Sequence, residues 1–220
     1  MKKRLLMLVV LGGTATAARA QTAIPAGTVA LGGNVGYYRH TVSSQVPGTN
    51  LHYESASSQF QLAPSVGYFV AENLAVGLSL GYTATKNTYT STFSTSLPGL
   101  APNVTFRSGA YVQYYHMLTD QFGLVGTLGG GYQSNRTTNV FGSAGNISSN
   151  ETKQKGYYAS LTPGIVYFPV PKLGISATVG GLVFSRLKET PNASEPVTTD
   201  FGASFGLSQL QFGGTFYFGR

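Results

Sequence analysis

The chain contains no cysteine and no tryptophan, and only 10% of its 220 residues are charged. Without cysteine there are neither disulfides nor thiolate metal sites, so an exported chain of this size must draw its stability from elsewhere. From Gln21 onward no apolar run approaches the roughly 18 residues of a helical membrane span, so any membrane crossing must be made by strands. Clustered His and acid ligands are missing too, which leaves no support for a metal site. What is abundant is glycine (29 residues), tyrosine (14) and phenylalanine (13). That composition suits alternating strands rather than helices.

The first twenty residues are a different kind of segment. Lys2, Lys3 and Arg4 precede the apolar run Leu5 to Leu11, and Ala18-Arg19-Ala20 places small residues around a cleavage site, the pattern of a secretory signal peptide. The mature chain then begins at Gln21, and residues 21–220 form one domain. The leader holds four of the fourteen basic residues, so the net charge falls from +7 to +3 when it is removed. The high overall pI therefore gives no reason to expect a nucleic-acid partner.

A hairpin-sized unit occurs twice, ninety-nine residues apart. Leu62, Pro64, Val66, Tyr68, Phe69, Leu74 and Val76 reappear as Leu161, Pro163, Ile165, Tyr167, Phe168, Leu173 and Ile175. Each copy reads as two alternating strands joined by a short turn, with one face apolar and the other small or polar. The expected strands run about Thr28–His40, Ser58–Val70, Leu74–Thr85 and Val104–Leu118. A fifth starts at Phe122, a sixth and seventh flank the turn Val170-Pro171-Lys172, and the last ends at Phe218. Strand four is ambiguous: an outward Tyr114 matches the parity of the neighbouring hairpins and sends Arg107, Gln113 and Tyr115 inward, but it sends the apolar Tyr111 and Met117 inward too. In the last strand, Phe205 and Leu207 lie on the parity opposite to Leu210, Phe212, Phe216 and Phe218, which implies a bulge or shift near Ser208.

Three short turns, at Ala71-Glu72-Asn73, Thr119-Asp120-Gln121 and Val170-Pro171-Lys172, alternate with four polar loops, about Ser43–Ser57, Lys86–Asn103, Ser134–Lys155 and Arg186–Thr199. Eight strands with short turns at one end and long loops at the other imply a transmembrane β-barrel, all-β, antiparallel and up-and-down. A strand tilted about 40° climbs roughly 2.5 Å per residue, so about ten residues cross a 25 Å apolar band. The apolar stripes of strands three, five and seven are that long and uncharged, and Arg39 lies near a loop, where it can snorkel.

An eight-stranded barrel has an interior that side chains fill. Gln59, Gln61, Ser65, Ser79, Thr83, Thr127, Ser160, Thr162, Ser176 and Thr178 are expected to face it, bonding to one another and to water. No catalytic, cofactor-binding or metal residue is assigned. His40, Ser43, Ser44 and Glu54 form the one cluster of nucleophile and base types, with a spacing that matches no motif, and His52 and His116 are lone histidines. Gly129-Gly130-Gly131 lies within a strand and lacks the Lys-Ser/Thr of a phosphate loop. Five Asn-x-Ser/Thr sequons begin at Asn103, Asn135, Asn146, Asn150 and Asn192, and are read as chance products of polar loops.

In its signal peptide, strand count, loop asymmetry, paired Leu-x-Pro-x-Val/Ile-x-Tyr-Phe hairpins and aromatic last strand, the chain resembles the small eight-stranded bacterial outer-membrane β-barrels. These porin-family proteins include the OmpA barrel, OmpX and OmpW. The resemblance implies a Gram-negative outer-membrane location, no cofactor, and a non-enzymatic envelope structural, adhesion or interaction role. OmpW-like passage of small hydrophobic molecules is the alternative, and a lipid-modifying enzyme using His40 or Glu54 a third. Implied partners are outer-membrane lipid and lipopolysaccharide, the barrel assembly machinery, and an extracellular ligand reached through the loops. Such proteins commonly end on an aromatic residue, whereas here Gly219 and Arg220 follow Phe218, with no segment left for a peptidoglycan-binding domain.

Overall fold

The computed structural model describes residues 23–45, 47–49, 52–91, 102–143, 146–190 and 196–220. The signal-peptide segment and Asn192 lie outside them. Eight antiparallel strands follow one another in chain order: β1 (Val29–Gln45), β2 (His52–Ala71), β3 (Leu74–Ser91), β4 (Asn103–Met117), β5 (Phe122–Ser143), β6 (Asn146–Val170), β7 (Leu173–Thr190) and β8 (Val197–Phe218). Each pairs with its sequence neighbours and β1 pairs with β8, closing the barrel.

Alternation decides what faces where. Val35, Leu78 and Phe212 point outward with 66%, 64% and 60% of their surface exposed, whereas Phe69 and Tyr217 point inward at 0% and 1%. Such a continuous apolar exterior suits contact with lipid rather than water. Along β6 the outward positions Tyr167, Ile165, Pro163, Leu161, Ala159 and Tyr157 span ten residues, about 25 Å of height at the usual strand tilt. Short turns and both described termini share the end that is periplasmic in such barrels.

β4 takes the parity of its neighbours: Tyr114 is outward, while Tyr115 and Met117 are buried. The irregularity near Ser208 is present as well. Val179 pairs with Leu210 but Gly180 with Phe205, so β8 carries four residues, 206–209, that no β7 residue faces. This shift turns Phe205 and Phe201 outward again. The two copies of the repeat become the β2–β3 and β6–β7 hairpins, each with a register shift beside its turn. Pro64 and Pro163 have no N–H to donate, and the ladders towards β3 and β7 skip them.

The strands run much further than their apolar stripes. Pairing continues through Val42↔Ser55 and Gln45↔His52 on one hairpin and up to Ser143↔Asn146 on another. The polar stretches expected as loops are therefore mostly paired strand, because an antiparallel ladder satisfies the backbone whatever the side chains.

The buried hydrophobic cluster lies inside the barrel at the periplasmic end and contains Ile24, Phe69, Tyr115, Met117, Phe168 and Tyr217. A regular device builds it. On β2, β4, β6 and β8, one inward aromatic residue donates its backbone N–H to the segment preceding or the turn beside it. The pairs are Phe69 to Thr28 (2.9 Å), Tyr115 to Asn73 (2.8 Å), Phe168 to Gln121 (2.7 Å) and Tyr217 to Lys172 (2.8 Å). Their rings then meet at centroid distances of 5.2 Å (Phe168–Tyr217), 5.5 Å (Phe69–Tyr115) and 6.1 Å (Phe69–Tyr217). Aromatic pairs at these separations add about 0.5–1.5 kcal/mol each beyond their burial. Arg220 sits beneath them, its guanidinium 3.7 Å from the Phe168 ring centre and donating to the Asp120 carbonyl at 3.3 Å.

Candidate functional site: lumen, seam and extracellular hairpins

Above the aromatic floor is a cavity of about 240 Å³. Of the residues expected to face the interior, Ser65, Ser79, Thr127, Ser160, Thr162, Ser176 and Thr178 line it. Gln113 and Tyr115 face inward as an outward Tyr114 implied, but sequence reasoning missed the aromatic floor to which they are bonded. Gln113 donates to Thr127 Oγ1 at 2.9 Å, and the Tyr115 hydroxyl donates to Gln113 Oε1 at 2.7 Å. Tyr115 has one proton to give, so the 3.0 Å contact between the two tyrosine hydroxyls is donated by Tyr217. Polar lumen and aromatic floor are thus joined by one hydrogen-bonded chain. The signal was available, since inward Phe69 and Phe168 break the polar alternation of β2 and β6 at equivalent places.

Higher in the lumen, Arg107 donates from Nε to Gln133 Oε1 at 2.9 Å and lies 5.0 Å from the Tyr158 ring centre. Gln133 in turn donates to Asn135 Oδ1 at 3.1 Å. The Asn135 sequon therefore faces the interior, and Asn103 accepts the Thr138 N–H at 3.3 Å. These asparagines serve the barrel wall.

Closure is uneven. β1 and β8 pair over six positions, Val29↔Phe218 to Asn34↔Gly213, whereas β1 pairs with β2 along its whole length. Above Asn34 the two strands share no ladder partner among the described residues. A cleft of about 250 Å³ lies there, lined by Asn34, Val35, Tyr37, Leu210, Gln211 and Phe212. At roughly 2.5 Å per residue, Val35 stands about 15 Å above Val29, within the apolar band. Asn34 and Gln211 line both the cleft and the central cavity, and Asn34 Nδ2 donates to Gln211 Oε1 at 3.4 Å. Gln61 Nε2 approaches the same oxygen at 3.5 Å. Three amides thus stand between lumen and membrane.

The cluster of His40, Ser43, Ser44 and Glu54 does not converge. Ser43 pairs directly with Glu54, but alternation puts these two on the outer face and His40 and Ser44 on the inner. His40 stacks on Tyr38 at 6.4 Å, and His116 is outward beside the periplasmic rim. On the β5–β6 hairpin, Glu151 accepts from Lys153 at 2.8 Å and lies 3.5 Å from Arg136. The Lys153 hydrogen bond, helped by the Arg136 charge, holds the Glu151 carboxyl below its ordinary pKa.

An eight-stranded barrel with an apolar belt, a polar interior and short turns at one end is a bacterial outer-membrane β-barrel. The chain belongs to the outer membrane protein β-barrel domain family, which it matches over residues 6–208. Among solved structures it is similar to the outer membrane protein OprG from Pseudomonas aeruginosa. That likeness has 14% identity and a TM-score of 0.52, covering 91% of this chain and all of that one. It is also similar to outer membrane protein W of E. coli, with 13% identity and a TM-score of 0.43, over 88% of this chain and 99% of that one. The N-terminal β-barrel domain of Pseudomonas aeruginosa OprF follows at 12% identity and TM-score 0.39, over 89% of this chain and all of that one. No curated protein matches the chain.

Proposed function

We propose that this outer-membrane barrel is non-enzymatic and acts through its extracellular hairpins, in an envelope structural or adhesion role. The observation that carries this reading is the unbroken β5–β6 ladder from Tyr132↔Tyr157 to Ser143↔Asn146. It extends eleven residues past the aromatic rim, about 27 Å at the usual climb. Backbone pairing continues through this hairpin, and segments mounted on a rigid scaffold are where recognition is commonly carried. The split of His40 and Glu54 between two faces favours this reading over lipid chemistry, which needs nucleophile and base within hydrogen-bond reach.

Excising residues 139–150 and joining Thr138 to Glu151, which are ladder partners, with a two-residue turn tests it. Barrel folding, read as the mobility shift between unboiled and boiled protein, is expected to persist. Attachment of cells to protein-coated surfaces is expected to fall. Unchanged attachment, or loss of the folded form, counts against it.

The β1–β8 cleft favours a second reading, lateral passage of small hydrophobic molecules between lumen and membrane. Unpaired backbone at membrane depth is tolerated where it lines a water-filled cavity, which suits an opening used by solute. The aromatic floor favours an exit through the wall over an axial one. Dye flux into protein-containing liposomes is its measurement.

A further inference from the structure

Arg107 is the one inward-facing cation on the described strands, since every other lysine and arginine on them stands on the outward parity. Its guanidinium is held on two sides. Nε donates to Gln133 Oε1 at 2.9 Å, and the ring centre of Tyr158 lies 5.0 Å from the guanidinium carbon. Gln133 is 4% exposed and gives its own amide proton to Asn135, so its oxygen is fixed towards Arg107.

Neither neighbour is an anion. Among the described residues the ion pairs are those of Glu151 with Arg136 and Lys153, on the outer face. The inward carboxylates belong to Glu189 on β7 and to Asp200 on β8, where Asp200 accepts from Ser185 at 3.3 Å on the wall opposite β4. The two terminal nitrogens of Arg107 therefore carry N–H groups with no acceptor among the described residues. Buried side-chain atoms without a partner belong there to Thr28 and Arg220, so the free N–H groups of Arg107 are open to the lumen. A guanidinium stays charged, and its planar fork complements the two oxygens of a carboxylate.

From this geometry we infer that Arg107, Gln133 and Tyr158 form a binding site inside the barrel for the carboxylate of a small organic monoanion. One cation set among neutral amide and aromatic groups balances one negative charge, which favours a carboxylate over a phosphate dianion. Tyr158 also lines the cavity of about 240 Å³ beneath it, which has room for about eight water-sized groups. The body of the ligand lies there, against Ala63 and Val125 and the hydroxyls of Ser160 and Thr162. Binding at Arg107 holds whether or not a solute then leaves through the β1–β8 cleft, because affinity and flux are separate measurements.

The test uses the full-length folded protein in micelles of an uncharged detergent, titrated with benzoate and read from the NMR line width of its labelled carboxyl carbon. Hydrogen bonds to a charged partner are at stake, so Arg107→Gln is expected to bind benzoate about 10- to 100-fold more weakly than the parent. Arg107→Lys keeps the charge, loses the fork and should fall between the two. Arg136→Gln, which removes an outward cation of β5, is expected to stay within about twofold of the parent. Benzamide, the neutral counterpart, should bind the parent as weakly as benzoate binds Arg107→Gln. The heat-dependent mobility shift verifies the folding of each variant, and the comparison of benzoate with benzamide needs the parent alone, so it decides the matter even where a variant does not fold. Absence of saturable benzoate binding, equal affinities of the parent and Arg107→Gln, or equal binding of benzamide overturns the proposal. So does displacement of benzoate by equimolar chloride or inorganic phosphate, which makes this a general anion site.

Discussion

Tyr111 shows how single residues shape the interior of so narrow a barrel. Its ring lies across two glycines that face each other on β2 and β3, Gly67 and Gly77. A Cβ on Gly67 would stand 2.6 Å from the Tyr111 hydroxyl but 3.5 Å from the carbon bearing it, an ordinary contact. The clash is therefore with one atom. Gly67→Ala is expected to destabilise the barrel by about 1–3 kcal/mol, the usual cost of overpacking, read from the urea midpoint of folding into vesicles. Adding Tyr111→Phe removes the obstructing oxygen, so the double variant should be more stable than the sum of the single ones by at least about 0.5 kcal/mol. Strict additivity would show that Tyr111 is not what requires glycine there. The alternation of β2 and β3 revealed that both glycines face inward; it could not show which side chain on another strand fills the space they leave.

At the scale of elements, the periplasmic turns do more than reverse the chain. Asn73, on the β2–β3 turn, has φ of 60°, the left-handed region that asparagine tolerates better than most residues. Its side-chain oxygen accepts the Ile24 N–H at 2.9 Å and its own N–H donates to the Ile24 carbonyl at 3.0 Å. This turn therefore pins the segment before β1 across the mouth of the barrel, with Ile24 fully buried. Asn73→Gly keeps the backbone conformation and loses one hydrogen bond, an expected cost of about 0.5–1.5 kcal/mol. Asn73→Ala also meets the left-handed penalty and should cost about 1–2 kcal/mol more. Hydrogen exchange at the Ile24 amide should quicken in both variants, and a protected Ile24 amide in Asn73→Gly would contradict the pinning. The tight turn was legible from Ala71-Glu72-Asn73, but its second partner was not, because Ile24 and Asn73 are forty-nine residues apart.

For the whole molecule, the unequal closure is the property with the widest consequence. Seven strand interfaces carry long ladders, while the eighth joins β1 to β8 over only six pairs near the periplasmic end. The four unfaced residues of β8, 206–209, fall in the same part of the wall. If the Asn34–Gln211–Gln61 contacts restrain passage from lumen to membrane, Gln211→Ala should raise the uptake of a small uncharged aromatic dye into liposomes several-fold. Wild-type flux equal to that of empty liposomes, with no response to Gln211→Ala, would remove lateral passage and leave the hairpins as the functional surface.

The sequence by itself determined the strand count, the apolar belt, the inward polar set and the break near Ser208, while the parity of β4, which it left open, was settled by pairing with β3 and β5. Those that it determined follow from two-residue alternation, which is local and survives without knowledge of any partner. It also located the polar stretches, though not their state: Ser43 and Glu54 are ladder partners, because backbone pairing depends on the opposite strand rather than on hydrophobicity. The aromatic floor, the Tyr111 contact, the partial β1–β8 seam and the neighbours of Arg107 were decided only by tertiary structure. Each of them depends on which strands become neighbours and in what register, and closure of the sheet settles both at once.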